Sequence, residues 1–211
     1  MVLHDYELSA DCYKVRLFMA LAGIAHDLRR VDVYPGRENE GAAFRAMAPM
    51  ARVPVLEDDG VTVETAEAIL IHLAETRAPS WLPTEPGPRA RTLAWLVFAA
   101  RDGEAANEAR LADVLGTPMG DVRTRTTRAL NALEDALVER EIDGGTDGGT
   151  DGHAFLAGPA PTIADVAAFA PVALAVEFGE DLSLHPATRR WTRAVRALPG
   201  FRGMPGVPEF V

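Results

Sequence analysis

Four prolines, at positions 79, 83, 86 and 88, crowd into the stretch "APSWLPTEPGPRA". Proline removes a backbone donor and fixes φ, so neither a helix interior nor a central strand accommodates that density. The chain therefore changes character here, and the boundary is placed near residue 83. Residues 1–80 form an α/β part, 81–87 a proline-rich linker, and 88–211 an all-helical part.

The α/β part follows from periodicity. "MVLHDY" alternates apolar and polar residues and predicts a short strand, while Cys12, Val15, Met19 and Ala22 recur at helical spacing. Gly23 ends that helix, and "LRRVDVY" alternates again, which completes a βαβ unit with a parallel strand pair. "PGRENEGAAFRAMAP" supports only a short or irregular helix. In "RVPVLEDDGVTVE", the β-prone runs Val53 to Leu56 and Val61 to Val63 flank "EDDG", a hairpin signal. From Thr65 onward, Ala66, Ile69, Leu70, Leu73 and Ala74 make the apolar stripe of an amphipathic helix.

Beyond the linker there is no β-rich run. "RARTLAWLVFAARDGEAANEARLADVL" and "VRTRTTRALNALEDALVERE" each predict a long helix, the second with Leu130, Leu133 and Leu137 on one face. The repeat "DGGTDGGTDG" at 143–152 has no apolar residue to pack and is expected to form a mobile loop; it is too short for stacked calcium-binding repeats. "PTIADVAAFAPVALAVEFG" predicts a helix buried all round, with Thr162 and Asp165 spaced as a capping box. "HPATRRWTRAVRALPGF" supplies a last amphipathic helix, stopped by Pro199 and Gly200.

Composition narrows the partners. The 211 residues carry a formal charge of −10 without a basic stripe, which would repel nucleic acid phosphates and anionic lipid. Small molecules are the natural ligands. No run reaches the roughly 20 apolar residues of a membrane span and no secretory signal opens the chain, so a cytoplasmic protein is expected. One cysteine excludes an internal disulfide and multi-thiolate metal sites, and none of the five histidines sits in ligand spacing, so no metal is expected. Lys14 is the only lysine among many arginines, a bias of GC-rich bacterial genomes.

The stretch "ELSADCYKVRL" joins a hydroxyl, Ser9, to the only thiol, Cys12, at a helix start. Read alone, Ser9 or Asp11 is a helix cap, Cys12 a small buried hydrophobe, and Glu64–Thr65 a helix start with a favourable acid.

Several separate stretches resemble the glutathione S-transferase superfamily: "LSADCYKVRLFMALAGI", "PMARVPVLEDDGVTVETAEAILIHLAE", and "FLAGPAPTIADVAAFAP" followed by "LPGF". The likeness is to bacterial serine-type members of the theta, zeta and nu kind. It implies a thioredoxin-like N-terminal domain joined to an all-α C-terminal domain, a homodimer, and glutathione or another low-molecular-weight thiol as co-substrate. It places Ser9 where serine-type members hold the hydroxyl that donates to the glutathione sulfur. Cys12 is the rival, since some bacterial members form mixed disulfides near this point.

The same resemblance implies that Val53, before a cis Pro54, pairs with the cysteinyl backbone of glutathione, that Glu64 and Thr65 hold the γ-glutamyl end, and that Arg52 reaches the glycyl carboxylate. It places the pocket for a small electrophile between the domains, near Leu8, Trp95, Phe98, Arg101 and Asn107. Two departures stand out: Ala48 precedes Pro49 where the family has asparagine, and Ala10 and Asp11 replace the second serine and the cysteine of the zeta "SSC" motif. The expected activity is thiol transfer to an electrophile. The alternatives are a glutathione-dependent isomerase, a cysteine-type redox enzyme of the same fold, or a non-catalytic interaction module.

Overall fold

The computed structural model describes residues 1–115, 120–144, 155–178 and 180–204. Strand β1 (Val2–Asp5) leads through a turn to helix α1 (Ala10–Leu21), then to β2 (Asp27–Arg30). A 3-10 turn at Glu38–Glu40 and the short helix α2 (Ala42–Met47) follow, then the hairpin of β3 (Val55–Asp58) and β4 (Val61–Glu64), then α3 (Ala66–Thr76). The four strands make one mixed sheet in the order β2-β1-β3-β4, with β1 and β2 parallel and the other pairs antiparallel. Five helices complete the described chain: α4 (Pro86–Arg101), α5 (Glu104–Leu115), α6 (Val122–Gly144), α7 (Ile163–Ala175) and α8 (Pro186–Arg196). This is a thioredoxin-like α/β unit followed by an all-helical region.

The structure corrects four boundaries. The second strand stops at Arg30, so the alternation through Tyr34 continues as non-strand chain, and β3 begins at Val55 instead of Val53. Pro86 and Pro88 lie inside the first turn of α4. That turn has no intrahelical use for their missing N–H groups, so prolines start this helix instead of preventing it. The single long helix expected across 89–115 is two helices, broken at Asp102–Gly103. A Cβ on Gly103 would lie 2.6 Å from the Ala99 carbonyl oxygen and 2.8 Å from Cγ of Pro171, so the break is where α4 meets α7. Residues 145–152 of the Gly/Asp repeat lie outside the described residues.

Helix α7 holds the two regions together. All thirteen of its residues are buried, and it packs against α1 and α3 on one side and α4, α5 and α8 on the other. The packed cluster runs continuously from Leu3, Phe18 and Leu70 to Leu130, Phe169 and Trp191. Thr162 and Asp165 form the capping box at its start. Asp165 does more than cap, for its carboxylate also accepts from the Leu156 N–H at 2.8 Å and from Trp191 Nε1–H at 2.9 Å. Among the described residues no helix is long and apolar enough to cross a membrane.

Asp165→Ala would leave two backbone donors and an indole N–H buried without partners. Since each such group costs about 1 to 3 kcal/mol, the variant is expected to lose at least roughly 3 kcal/mol in a denaturant titration. A loss below about 1 kcal/mol would mean that this network is not holding α7.

Candidate active site

Strand register decides which residues meet. His4 of β1 stands opposite Val55 of β3, and Val55 stands opposite Glu64 of β4. The exit of β1, the entry of β3 and the exit of β4 therefore lie at one end of the sheet. Ser9 follows the first, Val53–Pro54 precedes the second and Thr65 follows the third, so three segments distant in sequence converge there.

Ser9 is the N-cap of α1, with extended φ and ψ, and its Oγ accepts from the Cys12 N–H at 3.2 Å. Asp11, the other candidate cap, instead pairs with Lys14. An oxygen used as an acceptor still carries its own O–H, so the Ser9 hydroxyl can donate outward from a helix N-terminus. Cys12 is fully buried, and its sulfur accepts from the Tyr6 N–H at 3.3 Å. Burial pushes its thiol up to about 12, with the Tyr6 hydrogen bond offsetting only part of that rise. Such a thiol stays protonated at neutral pH.

The peptide between Val53 and Pro54 is cis. Pro54 is buried and Val53 half-buried against Val31, Phe44, Ala48 and Val55, while the ladder of β3 starts only at Val55. Arg52 beside it is exposed. Glu64 Oε2 accepts from the Met50 N–H at 3.0 Å, which ties the 48–52 loop to the end of β4 and leaves the second carboxylate oxygen able to take another donor. Asn39 holds the same loop from the other side, donating to the Ala51 carbonyl at 2.8 Å; its own side-chain oxygen is buried without a partner.

Two residues here depart from ordinary backbone. Ala51 has φ 54° and Thr65 has φ 71° with ψ 140°. For a β-branched residue this is an uncommon conformation, of the kind that costs about 1 to 3 kcal/mol and gathers at functional positions. Thr65 is the N-cap of α3, yet its side chain makes no capping bond, so the first amides of α3 lack side-chain partners at their cap.

The expected pocket residues are only partly gathered. Trp95 and Phe98 on α4 meet edge to face with ring centroids 5.0 Å apart. Phe98 also lines a cavity among the helices with Gly103, Ala106, Leu130 and Pro171, which Leu8, Arg101 and Asn107 do not line. Leu8 is 45% exposed in the turn before Ser9, and Arg101 is exposed at the end of α4. Asn107 donates to Glu104 at 3.4 Å.

One feature has no local signal in the sequence. Lys14 Nζ donates to Asp11 Oδ1 at 2.7 Å and to Glu67 Oε1 at 2.9 Å, joining the first turns of α1 and α3. The i, i+3 spacing of Asp11 and Lys14 was visible, but the partner 53 residues away was not. Among the described residues no group of three or more histidine, cysteine or carboxylate side chains could hold a metal ion.

This arrangement agrees with the relationships of the chain. The glutathione S-transferase N-terminal domain matches residues 8–76. Over 205 residues the chain is 29% identical to the maleylacetoacetate isomerase of Rattus norvegicus, covering 95% of this chain and 90% of that protein. A probable maleylacetoacetate isomerase of Vibrio cholerae is 26% identical over 95% of this chain and 93% of its own. The crystal structure of a possible glutathione S-transferase from Rhodopseudomonas palustris superposes with a TM-score of 0.82, at 29% identity and 98% coverage of both chains. The match at residues 8–76, the element order, the sheet topology and the likeness along nearly the whole length agree: the chain has the glutathione S-transferase fold.

Proposed function

We propose that this protein is a cytoplasmic glutathione-dependent enzyme in which Ser9 stabilises the thiolate of glutathione for attack on a small electrophile. The observation that carries the reading is the Ser9 hydroxyl: it caps α1 as an acceptor and keeps its proton for a ligand at the convergent end of the sheet. A free thiol near pKa 8.5 is mostly protonated at neutral pH, and lowering it by about two units takes roughly 2.7 kcal/mol of preference for the charged form. A hydroxyl donor and a helix N-terminus both act in that direction.

Residues 1–80 hold the thiol, and the helical region that begins with α4 at Pro86 supplies the pocket for the second substrate. Val53 offers its backbone to the cysteinyl unit by strand addition. Glu64 accepts from the γ-glutamyl ammonium, the Thr65 hydroxyl and the α3 amides take its carboxylate, and Arg52 meets the glycyl carboxylate. Trp95 and Phe98, which meet on α4, border the electrophile in this reading; Leu8, Arg101 and Asn107 are not gathered with them. The bound thiol supplies the nucleophile: sulfur bonds to carbon, and either a leaving group departs or, in isomerisation, sulfur leaves again after bond rotation.

Isomerisation is the second reading, and the curated relatives named maleylacetoacetate isomerase favour it. The replacement of the zeta "SSC" pattern by Ser9, Ala10 and Asp11 favours transfer instead. Cysteine-type redox chemistry has less support, because Cys12 is sealed from solvent and its thiol is raised. Titration calorimetry with glutathione and with other low-molecular-weight thiols identifies the co-substrate.

Ser9→Ala is expected to raise the pKa of bound glutathione by about one unit or more and to lower kcat at neutral pH, with affinity less affected. Cys12→Ala should be nearly silent. Ultraviolet absorbance of the bound thiolate against pH checks both, and a titration abolished by Cys12→Ala alone would reverse the assignment.

Glu64→Ala and Thr65→Ala should each weaken glutathione binding tenfold or more, since a charge-assisted hydrogen bond contributes about 1.5 to 3 kcal/mol. Unchanged affinity in either variant would place the thiol elsewhere.

The protein is a two-fold symmetric homodimer in this reading. Light scattering at micromolar concentration should return twice the chain mass, and a monomer mass would exclude it.

A further inference from the structure

Lys14 is the chain's only lysine, and it is 3% exposed. Burial by itself would favour the neutral amine, but Asp11 and Glu67, both hydrogen-bonded to it, outweigh burial and hold the ammonium charged. A third carboxylate faces the pair from α5. Burial raises Glu104 above the usual carboxylate range, Asp11 raises it further, and Lys14 and Asn107 pull the other way. The remaining charged neighbours are already matched: Arg16 pairs with Asp5 on the first side, and Arg125 pairs with Glu108 on the other.

Two carboxylates, from α1 and α3, thus pair with one ammonium while a third on α5 interacts with it electrostatically, and Asp11 sits in the first turn of the helix that Ser9 caps. An interhelical lock alone needs no charge, because an apolar cluster of similar volume packs as well without desolvating ions. The position of the charges is the informative part. An uncompensated carboxylate two residues after Ser9 would cancel the advantage that a helix N-terminus gives to an anion.

We propose that Lys14 is a positioning residue of the thiol site: its ammonium, shared between Asp11 and Glu67, offsets the negative charge two residues after Ser9, so that an anionic sulfur can form there. The proposal rests on the reading that the Ser9 hydroxyl meets the glutathione sulfur. Lys14 itself does not touch the sulfur; it acts through Asp11 and through the seating of α1 against α3. A structural lock and a charge-compensating residue make different predictions when either partner is neutralised.

The test is the ultraviolet titration of bound glutathione in Asp11→Asn, Lys14→Met and the double variant. Lys14→Met should raise the midpoint by roughly half a unit or more, Asp11→Asn should lower it by a similar amount, and the double variant should return near wild type. Shifts of the same sign, or none, overturn the proposal. If Lys14→Met does not fold, Asp11→Asn decides alone, with a lowered midpoint in support and an unmoved or raised one against. Because Lys14 is the sole lysine, 15N-lysine labelling gives one side-chain resonance. That resonance should move through the same midpoint as the sulfur absorbance, and a resonance indifferent to thiol ionisation also overturns the proposal. Ser9→Ala run alongside separates the two ideas. A midpoint that Ser9→Ala does not move refutes the Ser9 reading and this proposal with it, whereas a response to Ser9→Ala with none to Asp11→Asn and Lys14→Met refutes the Lys14 role alone.

Discussion

The fold depends on helix α7 being buried on every side, and that in turn depends on one carboxylate. A helix entering a core must satisfy its first amides without water. Asp165 meets that requirement and reaches further, accepting from Thr162, Leu156 and the Trp191 indole. One group therefore joins the start of α7, the chain before it and α8. With α7 fixed, α1 and α3 have a rigid surface to pack on from one side, and α4 and α5 from the other. The end of α1 that carries Ser9 is held by that packing.

A different constraint shapes the convergent end of the sheet. Because β1, β3 and β4 are in a fixed register, their ends coincide, and the loops beyond them must pass close to one another. The loop around Ala51 is tied down twice, by Asn39 and by Glu64, and it carries a positive φ, as does Thr65. Backbone in that state persists only where its surroundings over-determine it. The site thus has a rigid floor made of main chain. That suits recognition of a peptide-like thiol through backbone contacts, in which the side chain of Val53 has no part.

Much of this was legible in the sequence because local chemistry specified it. The capping box of Thr162 and Asp165, the Leu130, Leu133 and Leu137 face, the hairpin at "EDDG" and the helix after Thr65 each follow from spacing alone. The break at Gly103 did not, because the pattern on either side stays helical and the reason for the break is a contact with Pro171, far along the chain. Pro86 and Pro88 are the opposite case: proline's effect depends on which turn it occupies, and these two occupy the first turn of α4. At the convergent end of the sheet, the segments that carry Ser9, Val53 and Glu64 stand out through the family resemblance of their flanking stretches. Lys14 and Glu104 do not, since their meaning comes from a partner on another helix. The pocket residues were the least legible, as Phe98 shows by lining a cavity inside the helical region that excludes Leu8 and Asn107.

The electrostatics of the site raise a question of scale, since the chain carries a formal charge of −10 and is read as stabilising an anion. Distributed surface charge is screened over about 8 Å at physiological ionic strength, so most of those carboxylates do not act on a sulfur at Ser9. A unit charge at about 6 Å does act. At an effective dielectric of about 20 it contributes roughly 2.8 kcal/mol, or about two pKa units, which is the size of the whole effect required. Asp11, Glu67 and Glu104 are the acids to be answered locally, and one ammonium hydrogen-bonded to the first two offsets one of their two charges. Glu104 is pushed toward its neutral form by burial and by Asp11, with Lys14 and Asn107 pulling the other way. The charge opposing the sulfur is then reduced from two carboxylates to a net one, and the hydroxyl and the helix N-terminus act on the sulfur against that smaller opposition.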